Sequence, residues 1–344
     1  MKRFVKRYLI DAMGAMALGL FASLLIGTIF GAIGMIPHLG IFATIGGFAK
    51  AMAGAAMGVA IAYSLKAAPL VMFSAAAVGY AANAEGGAGG PFAVFLIAII
   101  AVEIGMLVSK KTKVDIIVTP FVTIIVGGLL SVWLAPYIGT GVGYISKFIG
   151  WAALQAPLIT GVIVSVVVGM VLTLPLSSAA ICQGLVMTGS IAAAGSSEGL
   201  ALAGAAAVAG CCAQMVGFAV ISFKENGFGG LISQGLGTSM LQIGNIARKP
   251  IVWLAPTLAS AILGPISTCI LHMKNNAAGA GMGTSGLVGP IGCWATMSAT
   301  TDHTLLLAEI VGMYFVAPAI LSLIIHFAMK RAGWVKEGDL KLQR

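Results

Sequence analysis

Gly235-Leu-Gly-Thr-Ser-Met-Leu241 and Gly281-Met-Gly-Thr-Ser-Gly-Leu287 are two copies of one pattern, G-x-G-T-S-x-L, set inside a very apolar chain. A Lys-x-Asn cluster precedes each copy, Lys224-Glu225-Asn226 and Lys274-Asn275-Asn276. Hydroxyls and bare glycine backbone are costly in lipid, which offers no water to satisfy them. A chain that places them twice in the same order is expected to build a polar site at membrane depth. Interrupted hydrophobic segments in corresponding positions are the sequence sign of a transporter binding site.

Composition sets the membrane class. Apolar residues make up 59% of the chain and charged residues 8%, against about 25% charged in a soluble domain. Windows of roughly 20 apolar residues, enough for one crossing, recur along it. Glycine is abundant at 47 residues, and Gly27-x-x-x-Gly31 and Gly54-x-x-x-Gly58 read as close helix packing within the chain. The net charge of +9 does not point to nucleic acid, because 12 of the 19 basic residues fall in three blocks beside apolar runs. These are Lys2, Arg3, Lys6 and Arg7; Lys110, Lys111 and Lys113; and Lys330, Arg331, Lys336, Lys341 and Arg344. Such blocks orient a membrane protein with the blocks, and here both termini, in the cytoplasm.

The expected fold is all-α and polytopic, with about eight to ten transmembrane helices and two re-entrant Gly-rich hairpins. Helices are expected over 9–36, 41–64, 67–83, 92–108 and 115–136, which keeps the basic blocks on one side. The start is too long an apolar run for a signal peptide and reads as a retained helix. Residues 1–138 form an N-terminal bundle and 139–156 an amphipathic connector at the interface. Residues 157–329 form a substrate-binding domain, and 330–344 a basic cytoplasmic tail. Within 157–329, Leu174-Pro175 breaks the first helix and a short segment covers 179–193. Helices then cover about 199–222, 251–272 and 304–329. Arg248 and Lys249 lie at one end of the 251–272 helix and Lys274 at the other. A single crossing cannot put both clusters in the cytoplasm, so either one cluster faces out or the flanking Gly-rich segments dip in and lend their cations to a cavity.

The substrate-binding candidates come from these segments. Thr238, Ser239, Gly281, Gly283, Thr284 and Ser285 offer hydroxyls and close backbone approach. Gln234, Gln242, Asn245, Asn275 and Asn276 both donate and accept, which suits neutral polyols. His272, Asp302 and His303 are ionisable groups at helix ends in an apolar chain. Asp302 equally fits a helix cap, and each hydroxyl could bond back to its own backbone. Glu309 lies two turns into the last helix, and Glu103 sits near Ser109-Lys110. The five cysteines, 182, 211, 212, 269 and 293, read as small buried hydrophobes without a C-x-x-C pair. No catalytic residue, metal or cofactor is expected. No Walker A, H-E-x-x-H or nucleophile elbow is present.

The run Tyr8-Leu-Ile-Asp-Ala-Met-Gly-Ala-Met-Ala-Leu-Gly-Leu-Phe-Ala-Ser23 and the segment Gly279-Ala-Gly-Met-Gly-Thr-Ser-Gly-Leu-Val288 resemble stand-alone EIIC-like proteins of the bacterial phosphotransferase system. Within these, the resemblance is to the perfringolysin-regulator-like (PfoR-like) group, and it extends over the whole chain. It implies a homodimer in the bacterial cytoplasmic membrane. One half would form the subunit interface and the other would carry two re-entrant hairpins. It also implies sugar translocation coupled to phosphorylation by EIIA and EIIB partners. The chain itself has no phosphorelay residue. Sugar-specific members carry a Glu in the substrate-site motif, and the corresponding stretch 279–289 has none. Three functions therefore stand side by side: a sugar or polyol permease with an elevator-like second half, a membrane sensor or regulator without phosphotransfer, and a transporter of a non-sugar solute such as an anion held by Lys274.

Overall fold

The computed structural model describes residues 5–34, 38–153, 156–178, 181–182 and 197–342. Every regular element among them is helical. Packing divides the chain into two units, residues 1–143 with 175–177, and residues 144–174 with 178–344.

Unit 1 opens with α1, residues 5–33, followed by α2 (Ile41–Ala51), α3 (Ala53–Ser64), α4 (Pro69–Gly86) and α5 (Gly90–Val108). Glycines let these helices touch backbone to backbone. A Cβ on Gly54 would meet the Gly79 carbonyl oxygen at 2.5 Å, and one on Gly27 the Gly46 oxygen at 2.6 Å. Both G-x-x-x-G motifs thus serve contacts inside the unit. Helices α4 and α5 fold back on each other at Gly87, whose φ of 49° few residues but glycine accept. Val71 near the start of α4 consequently faces Gly105 near the end of α5. Glu103 is paired with Arg7 at 2.5 Å and accepts from the Tyr8 hydroxyl at 2.7 Å, which ties α5 to α1. Helix α6 runs over Asp115–Ala153, of which residues 115–143 belong to unit 1 and 144–153 to unit 2.

The expected end of that helix at 136 needs correction. Residues 139–153 continue α6 in helical form past Pro136. Thr140 Oγ1 donates to the Pro136 carbonyl at 2.9 Å.

Unit 2 is built around α8 (Ser197–Ile221), whose residues 201–221 are almost wholly buried. Alanine, glycine, valine and cysteine dominate it, so neighbouring backbones can approach closely. Around it pack α7 (Pro157–Thr173), α11 (Leu254–Pro265) and α13, the helical run 303–331. Between them lie α9 (Phe223–Ile232), α10 (Ile243–Arg248) and α12 (Val288–Met297). Ser165 Oγ donates to the Ser260 carbonyl at 2.8 Å, and Ser260 Oγ to that of Gly210 at 3.2 Å, joining α7, α11 and α8. Cys211, Cys212 and Cys293 are buried in apolar packing and Cys182 is buried too, while Cys269 is partly exposed.

Six helical runs among the described residues are long and apolar enough to cross a membrane, or seven if the bent pair α2 and α3 is one span. The expected eight to ten exceeds this for two reasons. Helix α7 has only 17 residues. The run 69–108 enters that six once, although it holds the two folded-back helices α4 and α5. The expected segment over 179–193 lies, apart from 181–182, outside the described residues.

Candidate functional site

The first broken segment starts where α8 ends. Gly227 bends α9 with a φ of 61°, and a wide turn over Ser233–Gly237 follows. Thr238 is extended, and its Oγ1 accepts from Met240 N at 3.2 Å, capping the next short turn. Ser239 Oγ lies 2.8 Å from Thr173 Oγ1. A buried polar chain continues from there through Gln214. Its Oε1 accepts from Trp253 Nε1 at 2.9 Å, and its Nε2 donates to Thr257 Oγ1 at 3.2 Å. Gln214 is fully buried in the central helix. Sequence reasoning passed over it, although a lone amide within an apolar helix was the available signal.

The second broken segment begins at His272, held at a left-handed φ of 46° that non-glycine residues seldom adopt. Asn275 Nδ2 donates to the Gly289 carbonyl at 2.8 Å, and its Oδ1 accepts from Asn276 N at 2.8 Å. Asn276 Oδ1 in turn caps the turn at Gly279 N, 2.9 Å away. Gly281 accepts from Ser178 Oγ at 2.7 Å. Gly283, at φ 55°, lies against the backbone of Cys211 with no room for a Cβ. Ser285 is buried.

The two G-T-S segments meet. Thr284 Oγ1 donates to the carbonyl oxygen of Gly235 and also faces Met215 Sδ at 3.6 Å. Thr284 is fully buried, so Thr284→Val should leave the Gly235 carbonyl unsatisfied at a cost of about 1–3 kcal/mol. A lowered melting temperature in detergent, with unchanged helix content, is the expected result.

Several expected contacts have other occupations. Gln234, Gln242 and Asn245 join one another and hold the C-terminal segment. Gln242 Nε2 donates to Gln234 Oε1 at 2.8 Å and to the Leu340 carbonyl at 3.0 Å. Asn245 Nδ2 donates to Gln242 Oε1 at 2.7 Å and to the Lys341 carbonyl at 3.1 Å. Asp302 is exposed and caps α13, accepting from Thr304 N at 2.9 Å and Leu305 N at 3.0 Å. His303 is exposed, stands over Trp294 with ring centres 5.3 Å apart, and reaches the Ser298 carbonyl at 3.2 Å.

The C-terminal segment carries its own ion pair. Lys249 Nζ lies 2.6 Å from Asp339 Oδ2, which also accepts from Lys336 N at 2.7 Å. Partial burial works against the charged carboxylate, but the Lys249 hydrogen bond, the Lys336 amide and both lysine charges outweigh it. The Asp339 carboxyl is therefore held below its ordinary range. A depressed folded-state value means the contribution is present above the unfolded value, about pH 3.9, and is lost as pH falls through the folded one. Melting temperature should accordingly fall on acidification below about pH 4, and less steeply in Asp339→Asn.

One cavity beside the second segment gathers chemistry. It has a volume of about 290 Å³ and is lined by Leu202, Leu271, His272, Lys274, Met297, Thr300, Thr301 and Glu309. Its size sits at the lower end of the range for small-molecule sites, about 300–1,000 Å³. Glu309 Oε2 is shut off from solvent and has no hydrogen-bond partner among the described residues. A buried acceptor of this kind calls for a donor. The cavity thus combines a carboxyl, an imidazole, an ammonium and two hydroxyls. Its lining includes His272, and Lys274, which the anion reading singled out. Asn275, Asn276, Thr284 and Ser285 shape the segment that follows it.

An all-helical polytopic chain with two paired broken segments beside a polar cavity has the build of a membrane permease component. Residues 10–342 match the family described as Phosphotransferase system, EIIC, and the chain belongs to that family. Comparison with curated proteins and with solved structures gave no match.

Proposed function

We propose that this protein is the membrane component of a phosphoenolpyruvate-dependent sugar phosphotransferase system, binding a small polar solute, a sugar, and carrying it across the bacterial cytoplasmic membrane. The observation that carries this reading is the cavity in which His272, Lys274, Thr300, Thr301 and Glu309, whose Oε2 has no hydrogen-bond partner among the described residues, converge beside the second broken segment. Glu309 offers the carboxyl that stretch 279–289 lacks. Two re-entrant hairpins would bring the paired segments to membrane depth, and both termini would face the cytoplasm. A homodimer through the first half, with EIIA and EIIB supplying the phosphoryl group, completes the reading.

The experiment is the thermal stability of the purified protein against sugars, sugar phosphates and small anions. A ligand that binds only the folded state raises the melting temperature, by the equivalent of about 2.7 kcal/mol at a hundred times its Kd. A sugar hit abolished by Asn276→Ala or Thr284→Ala supports the reading. A response to anions alone, lost in Lys274→Ala, would replace it with a non-sugar transporter.

A second reading has its own observation. Gln242 and Asn245, amides suited to a polyol, are occupied by the chain's own C-terminal segment, and Gln234 is taken up by Gln242. That favours a sensor or regulator of the perfringolysin-regulator-like group, without phosphotransfer. A blank across all sugars, with loss of regulation on deleting the C-terminal segment, would decide for it.

A further inference from the structure

Residues 335–342 leave the end of α13 and lie across the first broken segment. Val335 and Leu340 are buried among Phe218, Ile221, Ile246, Val252, Ala255 and Met329. Between these two anchors the main chain is held by side chains of the first segment. Gly338 N and Leu340 N donate to the two carboxylate oxygens of Glu225, both at 3.0 Å. Asn226 Nδ2 donates to the Leu340 carbonyl at 2.9 Å, and Asn226 Oδ1 accepts from Leu342 N at 2.8 Å. Gln242 and Asn245 take the Leu340 and Lys341 carbonyls, and Lys249 pairs with Asp339. Glu225 and Asn226 of the cluster before the first repeat are therefore a receptor for the backbone of the turn over 337–340 and the residues that follow it.

These contacts do not stop at the first segment. Gln242, which holds Leu340, also donates to Gln234 Oε1, and Gln234 belongs to the turn whose Gly235 carbonyl takes the Thr284 hydroxyl. Three hydrogen-bonded steps thus connect the C-terminal segment to the second repeat, in a buried setting where each broken link leaves a costly unsatisfied group.

We propose that residues 335–342 are a positioning strap, which holds the first broken segment and, through Gln242, Gln234 and Thr284, sets the geometry of the second segment beside the cavity. The proposal rests on the reading that solute binds in that cavity, but its first test does not. Anything that lifts the strap, such as a cytoplasmic partner, would then act on the solute site without touching it.

The test compares hydrogen exchange of the full-length protein with that of Lys249→Ala, of the double variant Asp339→Ala/Leu340→Ala, and of Lys249→Arg. Backbone amides in 233–241 and 282–289 should exchange about ten-fold faster in the alanine variants, the scale set by losing a charged hydrogen bond. Lys249→Arg, which keeps the ion pair, should behave like the parent. Faster exchange confined to 335–342 and 243–249 would overturn the proposal. So would equal acceleration throughout α8, because the strap would then be a general stability element. Any solute found in the melting screen should bind several-fold more weakly to the alanine variants. Coupled exchange with unchanged solute affinity would overturn the solute reading of the cavity and leave the coupling of strap to second segment standing.

Discussion

Gly210→Val is expected to destabilise unit 2 strongly and to lower the yield of folded protein. Gly210 sits in the middle of α8, where α7 crosses it. A Cβ there would lie 2.5 Å from the Ser165 carbonyl carbon and 2.7 Å from its Cα. Both are backbone atoms of a packed helix and cannot swing aside as a side-chain tip would. The contact is reciprocal, since a Cβ on Gly169 of α7 would meet the Gly210 carbonyl oxygen at 2.7 Å. Valine must therefore push α7 off the central helix. That strips the Ser165–Ser260–Gly210 hydrogen bonds of their geometry as well as the packing. Overpacking in a tight core costs about 1–3 kcal/mol and occasionally more, and backbone-on-backbone contact belongs at the upper end. Against a total stability of about 5–15 kcal/mol, that loss is large. The readout is the yield of monodisperse protein extracted in mild detergent. Gly128→Ala is the control, because nothing lies within 4 Å of that position. Parent-like yield and melting temperature for Gly210→Val would refute the close crossing.

Periodicity and repetition were informative wherever the deciding interaction was local. The duplicated G-T-S pattern marked two segments that touch, and the apolar runs marked the helices around them. The small-residue spacing at Gly54 and Gly58 fits helix contacts inside unit 1. What the sequence could not convey was partner choice over long separations. Asn226 and Asn276 occupy equivalent places in the two Lys-x-Asn clusters. Yet Asn226 holds residues 340 and 342, while Asn276 caps the turn that follows it. Nothing in either cluster announces that difference, because the partner of the first arrives from the far end of the chain. The same limit explains Gln242 and Asn245, whose amide chemistry fits a polyol and a peptide backbone equally well. Gln214 and Glu309 were hard to weigh for another reason. Each is a single polar residue in an apolar helix, and only the fold decides whether it faces a cavity or a hydrogen-bonding neighbour.

Glu309→Gln is expected to raise the stability of the empty protein and to weaken solute binding. The two effects share one cause. Glu309 Oε2 is buried without a hydrogen-bond donor among the described residues, and an unsatisfied buried acceptor costs about 1–3 kcal/mol, more when charged. Glutamine has nearly the same shape and a smaller desolvation cost, so the empty protein should melt at a higher temperature. A solute hydroxyl that donates to Oε2 would supply the missing partner in the parent protein. Glutamine can place an NH2 group there and lose that acceptor. A hydrogen bond to a charged group contributes about 1.5–3 kcal/mol, so affinity should fall by about ten- to a hundred-fold. Melting curves with and without the solute read both quantities in one experiment. A merely structural Glu309 would give the opposite signs, with lower stability in the empty variant and an unchanged shift on adding solute. A role in charge recognition through Lys274 alone would leave the affinity intact, because the ammonium remains in the lining of the cavity. The paired outcome, gained stability and lost affinity, is specific to a carboxyl oxygen, Glu309 Oε2, whose hydrogen-bond donor is the ligand.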